Sequence, residues 1–409
     1  MPRRRSRFLL AAGALAALAG APARADDASS ASNAPWLSPA QRSQARTVIP
    51  PGTPDSRCCG PVTNGKPAWV WSEYELQTLG WGNELPARGS AGVPEYAKAN
   101  VNNTPARQKW ISTFDGWIRA TYTPMGAVTA PFREIYPDKA TQDHVPVRYG
   151  VSETLYAPIV KAGKLTRTPA PPFGWINVFA NQLPGTEAAW SMNVPGQMFA
   201  FTMAYDRDLR LTEPRSADTI AAEAAAVRAR IGIDAPVYIL DGLVVVLLTR
   251  DGRLPVRQMT VGEALDIAEP GIRRQQVREP SEPVMFEKRL QTVRMLRDKY
   301  AGRLDTPAFI RSLQFSTQDF YDGLDFFEPD ERGNHYPLYT FDTATYAAAR
   351  TDTPQWLAIS FPRLRPNVQE SWALRMVFDT MVDHFDYAYA RDAVFDPQRV
   401  AGKPYRPRP

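Results

Sequence analysis

Between Pro236 and Met259 the chain sets two Asp-Gly pairs into apolar runs, in the order Pro236–Leu240, Asp241-Gly242, Leu243–Arg250, Asp251-Gly252, Arg253–Met259. An Asp-Gly pair is the strongest short-range hairpin signal, because both residues tolerate the left-handed backbone of a type I′ turn. The segment therefore predicts three antiparallel strands in a meander. Its middle run, Leu243–Leu248, is aliphatic and suits a strand covered on both faces, and it is far too short to span a bilayer. Thr260 and Glu263 have the spacing of a capping box, which starts a helix where the meander ends.

Helical patterns lie on both sides. Thr104 as cap, Pro105 at the first helical position, and Trp110, Ile111, Phe114, Trp117 and Ile118 at three- and four-residue spacing predict an amphipathic helix. Ser216 caps a second that Gly232 closes near Arg230. A third runs from Val284 to Tyr300 with Met285, Leu290, Val293 and Leu296 inward, and short helices are expected over Asp305–Leu313 and Thr343–Arg350. Gln369–Arg391 is the longest uninterrupted helical pattern. Trp175–Asn181, Gln197–Tyr205 and Gln355–Phe361 read as strands. Helices segregated around antiparallel strands predict an α+β fold, an antiparallel β-meander with flanking helices preceded by an irregular Trp/Pro-rich N-terminal region.

Three regions follow: a signal peptide over 1–25, the Trp/Pro-rich region over 26–167 and an α+β domain over 168–409, the two mature parts being compatible with one unit. Met1–Arg7 holds four arginines, Phe8–Gly20 is uncharged and Ala23-Arg24-Ala25 precedes Asp26. A charged, an apolar and a small-residue segment in that order are the parts of a cleaved secretory signal. Its alanine-rich apolar part resembles bacterial leaders, so a periplasmic or secreted destination is expected, with no integral membrane segment after cleavage. Loss of Arg3, Arg4, Arg5, Arg7 and Arg24 takes 48 basic residues to 43, equal to the 43 acidic ones. The basic pI belongs to the precursor, and a nucleic-acid partner is not expected because binding requires a retained basic surface. The remaining basic stretch, Lys403, Arg406 and Arg408 among prolines, reads as a frayed terminus.

The chain has no phosphate loop, dinucleotide fingerprint, nucleophile elbow, Cys-x-x-Cys or His-Glu-x-x-His. Its two cysteines, Cys58 and Cys59, are adjacent. They cannot staple distant segments, and they suit a vicinal disulfide, an unpaired thiol pair or a redox or soft-metal site. His144, His335 and His384 read as structural or solvent-facing.

Two constellations remain. The segment from Phe315 to Tyr339 gathers Asp319, Asp322, Asp325, Glu328, Asp330 and Glu331 with Phe320, Tyr321, Phe326, Phe327, His335, Tyr336 and Tyr339. Aromatic planes beside carboxylates suit a glycan, the rings stacking and the acids accepting hydroxyls or serving as acid and base. Tyr321, His335, Tyr336 and Tyr339 are the candidate ligand contacts, and Asp325, Glu328 and Asp330 the candidate catalytic acids. The same oxygens suit Ca2+, and no other cofactor is expected. In the second constellation Asp379, Asp383 and Asp386 share one face of the last helix at i, i+4 and i+7, where their mutual repulsion invites a cation or a basic partner.

The reading that follows is an exported binding or accessory protein, its ligand a glycan or other envelope component. The first alternative is a carbohydrate-active hydrolase or lyase using carboxylates of residues 319–331. The second is a thiol- or copper-handling protein at Cys58 and Cys59.

Overall fold

Six strands hydrogen-bond into one antiparallel sheet: β1 (Val128–Tyr136), β2 (Arg148–Tyr156), β3 (Gly174–Ala180), β4 (Val237–Leu240), β5 (Leu243–Thr249) and β6 (Trp356–Pro362), in the spatial order β1-β2-β3-β6-β5-β4. The computed structural model describes residues 62–63, 66–67, 100–122, 128–137, 146–156, 158–161, 164–167, 172–183, 217–240, 242–253, 256–278, 280–310, 336–364 and 372–409. Its helices are α1 (Pro105–Thr121), α2 (Ala217–Ile231), α3 (Val261–Arg278), α4 (Pro283–Lys299), α5 (Thr343–Ala348), α6 (Trp372–Asp383) and α7 (Tyr387–Phe395). The result is the α+β architecture that the pattern predicts, an antiparallel sheet with flanking helices.

The first Asp-Gly pair closes its hairpin: Leu240 stands opposite Leu243, and Gly242 holds a φ of +77°. The second pair turns the chain, with Gly252 at +75°, but among the described residues no third meander strand joins the sheet. Pro255 cannot donate to a ladder, and the place beside β5 belongs to β6, which pairs with it from Trp356↔Thr249 to Pro362↔Leu243. Arg257–Gln258 leave instead to pair with Tyr339–Thr340. β5, enclosed by β4 and β6, is buried from Val244 to Thr249.

The division drawn at residue 167 falls inside the connection between β2 and β3, which pair from Tyr149↔Ala180 to Leu155↔Gly174. Strands from both sides of that point share the sheet. On one face α1 packs against β2 and β3, α2 against β4, α6 against β6 and α7 against β5. Ile111, Phe114, Val151, Val178, Val246, Ile359, Val377 and Phe385 belong to the apolar core between them. On the other face Phe341, Tyr346 and Ala349 cover Val245, Leu247, Trp356 and Ala358. A further core joins α3 and α4 through Leu265, Ile272, Phe286, Leu290 and Val293.

Capping chemistry places several boundaries. Thr104 accepts from Arg107 N at the start of α1. At α3 the capping box is complete, Thr260 N donating to Glu263 Oε2 at 2.9 Å and Glu263 N to Thr260 Oγ1 at 3.2 Å. Three expectations are corrected. The helix expected over Asp305–Leu313 is not formed in its described part, which ends at Ile310: Pro307 bridges to Thr260 and Phe309–Ile310 form a strand. The pattern Gln369–Arg391 breaks into α6 and α7, because Asp386 leaves the helical backbone to accept from Tyr389 N at 2.9 Å and start a new helix.

The third correction concerns the basic tail, which docks. The Tyr405 ring meets Trp117, Phe385 and Tyr389 with centroids 5.9, 5.8 and 5.4 Å away. Its hydroxyl shares a hydrogen bond with Thr121 Oγ1 and accepts from Asp386 N. Arg408 donates to the carbonyls of Val382 at 2.6 Å and Phe385 at 3.1 Å, at the end of the broken helix, where the Phe385 carbonyl also accepts from Tyr387 N. His384 is buried beneath it, its Nδ1 2.9 Å from Arg408 O.

Candidate functional site

The acidic aromatic segment is gathered at its base. Phe309–Ile310 pair antiparallel with Tyr336–Pro337, so Ile310 and Tyr336 face each other across a ladder. Backbone bonds from Leu338 N to Ala308 O at 3.0 Å and from Met259 N to Leu338 O at 2.8 Å tie that ladder to the start of α3. Tyr321, Asp325, Glu328, Asp330 and His335 lie outside the described residues, as do Cys58, Cys59 and His144. Tyr336 belongs to the ladder itself. Tyr339 pairs with Gln258 and packs half-buried against the Phe341–Trp356 core, so it anchors the segment's exit to the body.

Asp379, Asp383 and Asp386 do not form one helical face. Asp379 and Asp383 lie on α6, where Arg230 of α2 forks between them: its Nη2 is 3.0 Å from Asp379 Oδ1 and 2.7 Å from Asp383 Oδ2. Bonding to Asp383 first, and then to Asp379, raises the Arg230 pKa. All three side chains are more than a third exposed, so the clamp contributes about 0–1 kcal/mol. Asp386 is the cap of α7. Among the described residues no three His, Cys, Asp or Glu side chains gather into a group that could hold a metal ion.

A different group of charges lies inside the molecule, between α1 and the β1 edge of the sheet. On β2 the positions facing α1 are Tyr149, Val151, Glu153 and Leu155, and register sets Thr129, Pro131 and Arg133 of β1 on the same face. The Glu153 side chain is fully buried. From α1, Asp115 and Arg119 point to the same place: Arg119 Nε donates to Asp115 Oδ1 at 2.6 Å, and its Nη2 reaches Glu153 Oε1 at 3.5 Å. Arg133 Nη2 lies 3.4 Å from Asp115 Oδ2. Glu153 Oε2 and Thr129 Oγ1 are buried with no hydrogen-bond partner among the described residues.

Burial is the main reason the Glu153 pKa is pushed up to about 9. The hydrogen bond and charge of Asp115 add to it, against the opposing pull of Arg119 and Arg133. At neutral pH Glu153 is therefore a carboxylic acid, whose proton can be shared with the neighbouring Asp115 carboxylate. Chemically the group is a protonated acid and a carboxylate under two arginines that are a third exposed.

Sequence reasoning passed over this group. The signals were Asp115 on the inward stripe of α1 beside Phe114 and Ile118, and Glu153 taking its turn with Tyr149, Val151 and Leu155 in a strand. An acid at an inward position of an apolar alternation is the legible sign of a buried carboxyl. No protein-family model matches the chain, and no curated protein or solved structure compared with it does.

Proposed function

We propose that this chain is an exported binding or accessory protein of the bacterial envelope, and that it contacts a glycan through residues 311–335. The observation that carries this reading is the ladder of Ile310 and Tyr336 at the base of that segment. With both ends held together on the α3–α4 body, the closure entropy is already met when a ligand arrives. The segment's content of Asp319, Asp322, Asp325, Glu328, Asp330 and Glu331 among Phe320, Tyr321, Phe326 and Phe327 suits polyhydroxylated rings. The leader-like Met1–Ala25 supports export. No helix among the described residues is long and apolar enough to cross a membrane.

The test is a glycan array probed with the protein beginning at Asp26, repeated with Tyr321→Ala and Asp325→Asn. Loss of the bound glycan in both variants, with melting temperatures within a few degrees of the parent, is the expected result. Binding that survives both substitutions, or an array with no bound glycan, overturns the reading. Cleavage of the bound glycan would reassign the same segment to a hydrolase or lyase.

A further inference from the structure

We infer that the β1 edge of the sheet is a proton-dependent clasp: while Glu153 carries a proton, α1 and strands β1 and β2 stay packed around Asp115, and loss of that proton is coupled to their separation. The inference is independent of residues 311–335 and their ligand. It rests on where the groups stand. Glu153 has no exposed side-chain surface, so an ionised form would sit in a place that water does not reach. The charges facing it come from two elements, Asp115 and Arg119 from α1 and Arg133 from β1. Across the ladders its neighbours are Pro131 on β1 and Ile176 on β3, neither of which titrates.

Both arginines are engaged by Asp115, and Arg119 reaches Glu153 only at 3.5 Å. An ionised Glu153 would place a second carboxylate against Asp115, and the simplest relief is to move α1 away from β2. A carboxyl fully paired inside a rigid core would leave no oxygen waiting. Here Glu153 Oε2 and, on the same face, Thr129 Oγ1 are both buried without a hydrogen-bond partner among the described residues, so no donor stands ready to hold an ionised carboxylate at that oxygen. The elevated Glu153 pKa agrees with this geometry.

The sign follows from linkage. The folded pKa, about 9, is raised above the ordinary carboxylate value of 4.5, so the stabilisation is complete below that ordinary value. It is lost as pH rises between the two values. The opening equilibrium of the clasp should therefore climb by up to about tenfold per pH unit through that window and level off above it.

The measurement is amide hydrogen exchange of peptides covering α1 and β1, from about pH 6 to about pH 10, each rate divided by that of Glu153→Gln at the same pH. Glutamine copies the neutral acid and removes the titration. The expected ratio rises with pH and reaches a plateau, and in Asp115→Asn the plateau comes at lower pH, because the neighbour that raises the Glu153 pKa is gone. A wild-type ratio that stays flat overturns the clasp, as does an Asp115→Asn plateau in the same place as the parent's.

Discussion

Arg107 shows how much one buried side chain can hold. Its guanidinium donates to Asn102 O at 2.7 Å, Arg350 O at 2.8 Å and Thr351 O at 3.2 Å, and it stands 3.0 Å from an Asp352 carboxylate oxygen. Residues 350–352 lie at the other end of the sequence, so this one group ties α1 to the turn before β6. Removing it strands the buried Asn102 carbonyl and takes the donor from the partly buried bonds to Arg350 and Thr351. Arg107→Ala should lower the unfolding free energy by about 3–5 kcal/mol in urea denaturation. A loss below about 1 kcal/mol would mean that water replaces the guanidinium without cost. Glu153 belongs to the same class of residue, a polar group whose value depends wholly on its surroundings.

Among the elements, two glycines with open space around them separate backbone conformation from packing. A Cβ added at Gly242 or at Gly116 would meet nothing within 4 Å. Gly242 has a φ of +77° in the turn between β4 and β5, whereas Gly116 lies in the interior of α1. The same substitution should therefore act with opposite sign. Gly242→Ala should destabilise by about 1 kcal/mol, because an L-residue is strained in the left-handed region. Gly116→Ala should stabilise by about 0.5–1 kcal/mol, because alanine loses less backbone freedom on entering the helix. Thermal unfolding of the two variants checks both, and a shift in the same direction for the pair would contradict the assigned turn. The interruption between α6 and α7 is of the same kind, since it depends on one Asx cap and on Arg408 donating to carbonyls at the break.

For the molecule as a whole, the C-terminal segment is the last piece of the core. Tyr405 joins α1 to the α6–α7 junction through its ring contacts and its hydroxyl, and Arg408 also donates to Arg230 O at the end of α2. Tyr405→Phe keeps the rings together but removes the acceptor for the Asp386 amide. It should cost about 1–2 kcal/mol in thermal unfolding. Removal of residues 403–409 should cost more than Tyr405→Phe, since it also uncovers Trp117, Phe385 and the open end of α6. Equal melting temperatures for the truncated and intact chains would show that the tail is an ornament of the fold.

Most of the individual elements were legible in the sequence, because their signals are local. The cap and apolar spacing of α1, the Asp-Gly turn of β4–β5, the capping box of α3 and the aliphatic run of β5 each lie within a few residues, where backbone sterics and short hydrogen bonds decide the outcome. The sheet order was not legible. β6, more than a hundred residues downstream of β5, takes the place beside it, and this displaced the predicted third meander strand. The docked tail and the Arg230 clamp likewise join residues far apart along the chain, and no spacing rule reaches them. The carboxyl group at Glu153 lies between: the sequence marks an acid at an inward position, but only the packing of α1 on β1 and β2 brings Asp115, Arg119 and Arg133 to it. Local chemistry thus determined which pieces form, and the tertiary structure decided which meet, because burial and charge pairing depend on neighbours in space.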